Sequence, residues 1–471
     1  MTRKLLTAAL FGIAFVTAGG CSTLAFLFGT GGIPGSTTTV TTGSGGTTTL
    51  NGAIPSTTQP AAITAPNYSA SLLDPLFEAS AGARAVALGD IDNDGVTDVA
   101  SISFESQPVQ IHLRNTTTGV FDTISVGGGG PISITNAVAL ADFNADGRLD
   151  IAVCVQDTGF APALMEADIT SAVVLLIAPA DPRNAYGWTR VVISFHDTTE
   201  TGYTDFTVGD FDGQNGPDVI VLSHEPDPPI IPGVRAYLLS NPGGAAALVG
   251  GNWTETATEF DVVDLVAIRS GDIDGDGDLD TVIAGPTGKS FNLRWMRNPL
   301  VESGAAAVTA GAWSRRFVGQ QQGGADHIAL GDIDADGDLD VAAASAGLML
   351  TQWFMNPGPT ALASEIFPIP WSVFNIGTIN SGEINQVQLA DMDQNGTLDC
   401  FVTASGNIVG FQRQGNLQDF WTPFSILATD PVATIGTCGF ADFNGDGQLD
   451  FLAPLDRDGL LQDQFVIFTH Q

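Results

Sequence analysis

Cysteine, glutamate and basic side chains are all scarce in this chain. Only 4 cysteines occur in 471 residues. One of them, Cys21, belongs to an N-terminal segment of separate character. The remaining three, Cys154, Cys400 and Cys438, are an odd number, which excludes a complete disulfide framework within the chain. A Cys400 to Cys438 bridge stays open on that count, while small apolar packing is the plainer role for Cys154 and Cys400. The 16 lysines and arginines face 52 acidic residues, a formal charge of −36, which weighs against nucleic acid as a partner. Histidine is sparse as well: His112, His196, His224, His327 and His470 are scattered, and no Gly-x-Ser-x-Gly, metalloprotease or nucleotide-binding pattern accompanies them. The acid is also lopsided, with 42 aspartates against 10 glutamates. A generally acidic surface would use both, so the excess aspartate points to specific sites.

Those sites are one pattern, Asp-x-Asp-x-Asp-Gly-x-x-Asp, present seven times. Its first residues are Asp90, Asp142, Asp210, Asp272, Asp332, Asp391 and Asp442, spaced 52, 68, 62, 60, 59 and 51 residues apart. That spacing fits one supersecondary unit per copy and therefore a repeat architecture. Position three holds Asp92, Asn144, Asp212, Asp274, Asp334, Asp393 and Asn444; position five holds Asp94, Asp146, Gln214, Asp276, Asp336, Asn395 and Asp446. Position nine is always acidic: Asp98, Asp150, Asp218, Asp280, Asp340, Asp399 and Asp450. These four positions account for 24 of the 42 aspartates.

Carboxylates on alternate residues of a tight turn converge, and without a cation between them they repel. An all-oxygen donor set lacking His and Cys suits Ca²⁺ and not zinc, and Mg²⁺ takes fewer protein ligands. Position six needs a residue that tolerates positive φ, which Gly95, Gly147, Gly277, Gly337, Gly396 and Gly447 supply, with Asn215 in the third copy. Six copies read as calcium sites and the third as a degraded one, because Gln214, Asn215 and Pro217 weaken it. Asp278 and Asp338, at position seven, are not counted as ligands. An EF-hand or dockerin-like loop starts the same way but closes with Glu at position twelve. Here that position is Ser101, Val153, Val221, Ile283, Ala343, Val402 and Ala453. The flanks are short, β-branched and without a helical period, so each copy reads as strand, loop, strand.

These residues resemble the FG-GAP or VCBS repeat, the blade unit of the integrin α-chain head and of many bacterial surface proteins. The resemblance spans about residues 71–471. It implies an all-β fold, a seven-bladed β-propeller with a calcium loop joining the first two strands of each blade. Position two is apolar throughout (Ile91, Phe143, Phe211, Ile273, Ile333, Met392, Phe443), and the residue before position one is always Gly or Ala. Third strands show as VQIHLRN, RAYLLSNP, NLRWMRNP and TQWFMNP, three of them stopping at Asn-Pro. Fourth strands start near Phe121, Trp188, Trp253, Trp313, Trp371 and Trp421, an aromatic series better suited to packing between blades than to a carbohydrate platform. Too few residues follow Asp450 for a fourth strand, so the segment Leu72–Ser80, with Phe77 as its aromatic, is expected to complete blade seven.

Ahead of the repeats, residues 1–20 read as an export signal: Arg3 and Lys4, an apolar core from Leu5 to Val16, then Ala18-Gly19-Gly20-Cys21. This resembles a bacterial lipoprotein signal, in which Cys21 would be lipidated. The alternative is an uncleaved anchor that includes Leu24–Phe28. Both place the protein outside the cytoplasm, at the outer membrane or cell surface and attached to the membrane through its N-terminus. Residues 21–70 are rich in Thr, Gly, Ser and Pro and read as a disordered tether. The functional expectation is a surface-tethered, non-catalytic binding or adhesion module with a protein or polysaccharide ligand. Its contact candidates are the long departures from the repeat, Asp157–Ala172 and His224–Gly233. The alternatives are a polysaccharide lyase or hydrolase on the same ring, and an architectural envelope protein.

Overall fold

The computed structural model describes residues 38–41, 47–50, 68–73, 83–103, 109–127, 133–156, 171–196, 202–225, 233–260, 265–285, 292–363, 371–379, 384–413, 420–428, 433–457 and 463–470. The chain divides into two compact units, Met1–Ser56 and Thr57–Gln471. In the first, the described residues form a hairpin, Thr38–Thr41 paired antiparallel with Thr47–Leu50. β-branched threonine favours that pairing, inside a stretch that composition alone reads as unstructured. The lipoprotein-type signal and the anchor alternative fall outside the described residues. No helix among the described residues is long and apolar enough to cross a membrane.

The second unit is a seven-bladed β-propeller. Blade five shows the plan: His327–Gly331, Asp340–Ser345, Leu350–Met355 and Ser372–Thr378 pair in sequence order, each antiparallel to the next. The inner strands of the other blades are Ala83–Gly89, Ser133–Ala141, Gly202–Gly209, Ala267–Gly271 and Ile384–Ala390. In blade seven the inner strand is split into Ala433–Ile435 and Gly439–Ala441, both paired with Asp450–Arg457. The break at Gly436 brings this strand against blade one. Thr437 N–H donates to Arg84 O (2.7 Å) and Val86 N–H donates to Thr437 O (3.2 Å). A Cβ on Gly436 would lie 1.8 Å from Arg84 O, so glycine is needed for that approach.

The ring closes with a strand from the N-terminal side. Tyr68–Leu72 pairs antiparallel with Gln464–His470, and Leu73 N–H donates to Phe465 O at 2.9 Å. This corrects the expected span of Leu72–Ser80: the aromatic of the strand is Tyr68, whereas Phe77 lies outside the described residues. The spacing supports the correction. Tyr68 precedes Asp90 by 22 residues, within the 19 to 22 that separate the other six aromatics from their next loops.

Apolar side chains collect into seven clusters, one at each interface between neighbouring blades. The second strands show why their sequences are apolar without a break. Ile151, Val153 and Val155 face blade one while Ala152 and Cys154 face blade three, so both faces of the strand are covered. The loop's position-two residue packs against the aromatic that opens the next blade's fourth strand. Phe143 meets Trp253 (centroids 6.2 Å), Phe211 meets Trp313 (6.2 Å), and Phe443 meets Phe121 across the closure (6.3 Å). The tryptophan series therefore belongs to the interfaces. The small residue before position one has a steric reason as well: a Cβ on Gly271 would lie 2.6 Å from Leu339 Cδ1 of the next blade's loop. Cys154, Cys400 and Cys438 are free and buried, with no Cys400 to Cys438 bridge.

Candidate metal centres and the channel mouth

Each acidic loop joins the first and second strands of its blade, and its geometry is written in backbone hydrogen bonds. In loop one, Asp90 accepts the N–H of Asp94 at Oδ1 (2.9 Å) and of Gly95 at Oδ2 (2.8 Å). The same pair of bonds recurs on Asp142, Asp272, Asp332, Asp391 and Asp442. Position-six residues do take positive φ, from 82° at Gly396 to 98° at Gly277 and 64° at Asn215. Position four does too, which the sequence reading missed: Asn93, Ala145, Ala335 and Gln394 sit at φ of 59°, 58°, 65° and 57°. Left-handed alanine is strained, so the loop's bonds must hold it there. The signal was present in the sequence as a run of Asn, Ala, Gly and Gln at that position.

The structure brings positions one, three and five together in loops one, four and five. One oxygen each from Asp90, Asp92 and Asp94 lies within 4.8 Å of the others, as in Asp272, Asp274 and Asp276, and in Asp332, Asp334 and Asp336. In loop three the set that converges is Asp210, Asp212 and Asp218, while Gln214 N–H donates to Asp212 Oδ1 at 2.9 Å. Loops two and seven have an amide inside: Asn144 Nδ2 donates to Asp146 Oδ2 (3.0 Å) and Asn444 Nδ2 to Asp446 Oδ2 (2.8 Å). In loop six, Asn395 Oδ1 accepts the Thr397 N–H at 2.8 Å and Gln412 Nε2 donates to Asp393.

The ninth-position aspartates sit apart in burial and in partners. Asp98, Asp150, Asp218, Asp280, Asp340 and Asp450 have no exposed surface and Asp399 almost none. One oxygen accepts the position-two N–H, as Ile333 to Asp340 Oδ2 at 2.9 Å; the other accepts an N–H at the end of the third strand, as Asn356 to Asp340 Oδ1 at 2.7 Å. This double contact recurs in all seven blades. In Asp150, Asp280, Asp340 and Asp399 each oxygen keeps a second lone pair, whereas Oδ2 of Asp98, Asp218 and Asp450 also accepts the position-three N–H and leaves the spare lone pair on Oδ1, so bracing the strand and ligating an ion are compatible. Burial, partly opposed by these hydrogen bonds, pushes Asp98 up to about 6, Asp150, Asp218 and Asp340 to about 7, and Asp280 to about 8. The Asn-Pro motif completes the brace. Asn356 Nδ2 donates to Leu339 O of its own loop (3.0 Å) and to Ile273 O of the preceding one (2.8 Å), and Asn241 and Asn298 do the same.

The residues fit a hard divalent cation. All donors are oxygens, and Asp92 and Asp274 each keep a buried Oδ1 that meets no donor among the described residues. Arginines reach the opposite oxygens: Arg183 lies 2.7 Å from Asp92 Oδ2 and Arg297 Nε 2.5 Å from Asp274 Oδ2. Arg148 pairs with Asp146 in the same manner.

At the other end of the inner strands the ring opens on a cavity of about 130 Å³. Its wall includes Arg84, Asp205, Arg269, His327, Asn385 and Asp456, one from each of six blades. Asp205 and Arg269 pair at 2.7 Å across blades three and four, and the Asp205 carboxylate also accepts the Ile268 N–H (3.1 Å). His327 donates from Nε2 to Ile384 O at 3.0 Å, and burial holds its imidazole below the ordinary value. Asn385 Nδ2 and Thr204 Oγ1 are buried with no partner among the described residues. Nothing in the sequence marked this mouth, because its members share no motif. The expected contact segments Asp157–Ala172 and His224–Gly233 lie mostly outside the described residues. Their anchoring ends are placed on this side: Gln156 pairs with both Ser133 and Ser171, and His224 with both Gly202 and Val234.

Residues 90–153 and 369–453 match the family described as FG-GAP-like repeat. No curated protein matches the chain significantly. Among solved structures, the chain is similar to BBS1N in a complex with ARL6DN (14% identity, TM-score 0.49, 88% of this chain and 98% of that one). It is also similar to the Dos1 propeller (12% identity, TM-score 0.47, 86% and 95%). A third is an Agrocybe aegerita lectin described by its recognition of non-reducing terminal N-acetylglucosamine (13% identity, TM-score 0.46, 75% and 81%). The chain carries FG-GAP-like repeats folded as a seven-bladed β-propeller.

Proposed function

We propose that this protein is a calcium-stabilised, non-catalytic binding module, exported and held at a cell surface by its N-terminal segment, that engages its ligand at the channel mouth. The observation that carries this reading is the polar mouth cavity, where six blades contribute charged or amide side chains and the Asn385 Nδ2 has no acceptor among the described residues. A buried donor without an acceptor costs about 1–3 kcal/mol, a cost that a polar ligand atom removes. Calcium in the loops stiffens the far end of the same strands and so holds the mouth in shape without entering the contact. The two long second-to-third strand connections have their described ends on the mouth side, which supports the same reading.

Glycan-array and pull-down assays with wild type and Asn385→Ala, each with and without calcium, test the reading. Retention of one ligand by wild type, weakened in the variant, is the expected result. Equal capture by both proteins would move the contact away from the mouth. Product release from a polysaccharide panel would instead make the chain an enzyme.

A further inference from the structure

We propose that the fourth sector holds a second divalent cation, bound by Asp276, Asp278 and Glu302 beside the loop site formed with Asp272 and Asp274. The proposal rests on the calcium reading of the loops and adds a site outside the repeat pattern. Asp278 occupies position seven, and Glu302 comes from the short helix Leu300–Ser303 in the connection to the fourth strand. One oxygen from each of Asp276, Asp278 and Glu302 lies within 4.8 Å of the other two, so Asp276 belongs to two triplets at once.

Two observations beyond the acidic cluster point to an ion. Asp278 is 4% exposed, its Oδ2 accepts the Val301 N–H at 2.9 Å, and its Oδ1 is buried with no donor among the described residues. Asp274 Oδ1 is in the same state, so each triplet contains one buried carboxylate oxygen without a donor. Charge gives the second. Five carboxylates meet here, and the guanidinium in contact with them is that of Arg297. It takes Asp274 Oδ2 (2.5 Å), Asp276 Oδ2 (3.1 Å) and Glu302 Oε1, and leaves both donor-free oxygens untouched. The net charge of the five acids and one arginine is −4; one Ca²⁺ halves it and two cancel it. Loop five is the internal control. It has Asp338 at position seven, but the described helix beyond it, Pro359–Leu362, carries no acid and has Thr360 two residues after Gly358, where Glu302 stands two residues after Leu300 in the fourth sector.

Calcium bound per chain, counted by equilibrium dialysis on the full protein, tests the site. Asp278→Asn and Glu302→Gln should each bind one ion fewer than wild type, and Asp338→Asn the same number as wild type. Equal counts in all four proteins would overturn the second site and leave the loop reading standing. A wild-type chain that binds no calcium would overturn both. Glu302 is substantially exposed, so Glu302→Gln keeps the test valid if Asp278→Asn fails to fold.

Discussion

The two ends of the inner strands follow opposite rules. At the loop end, seven blades repeat a buried aspartate bracing the third strand and a turn with two left-handed residues, and loops one, three, four and five each gather three acids. At the mouth end no group recurs around the ring, and Arg84, Asp205, His327 and Asn385 each come from a different sheet. Repetition goes with structure because each sector must meet its neighbours identically for the ring to close. Variety goes with recognition because one ligand touches several blades at once.

The largest expected effect comes from emptying the loop end. At free calcium one to ten times a typical extracellular dissociation constant, each loop contributes about 0.4–1.4 kcal/mol, or about 3–10 kcal/mol for seven. Chelator should therefore lower the melting temperature sharply, and an unchanged melting curve would erase the distinction between the two ends. Next is the brace. Asp340→Ala leaves the N–H groups of Ile333 and Asn356 without their acceptor and should cost about 2–4 kcal/mol even in chelator, measured by denaturant unfolding. Asp334→Asn, by contrast, should matter only when calcium is present.

A smaller effect is in pH. With chelator present, Asp98, Asp150, Asp218, Asp280, Asp340 and Asp399 have folded values of about 6 to 8, above the unfolded value near 3.9. A value raised on folding gives stability that is full below the unfolded value and is lost as pH rises through the folded one. The chelated protein should thus melt at higher temperature at pH 5.5 than at pH 8, and calcium should flatten or reverse the slope. The mouth should respond with the opposite sign: Asn385→Ala removes a donor that has no acceptor among the described residues, so it should leave the ring no less stable while weakening retention on the ligand. A large loss of stability would mean that the mouth, too, is built for the ring.

The fold was legible where residues recur under the same constraint. Seven copies of one pattern gave the blade count, and the aromatics at fixed spacing gave the interfaces. Tyr68 was legible by that same spacing, but the apolar run around Phe77 competed with it because it offers the more hydrophobic strand. The double duty of Asp340 was hidden, since an acid that ligates and an acid that braces look identical in sequence, and burial separates them. The mouth was hidden for another reason: its residues are gathered only by closure of the ring and carry no periodicity.

The pairing of Ser69 with Thr469 joins residues 400 positions apart. A chain emerging from the ribosome or a translocation pore with its first end leading therefore has no partner for that leading strand until almost its last residue has appeared. Until then the first and last blades each present an uncovered face. Folding of the ring accordingly calls for something to occupy those faces, or for synthesis fast enough that the two strands meet before another copy does.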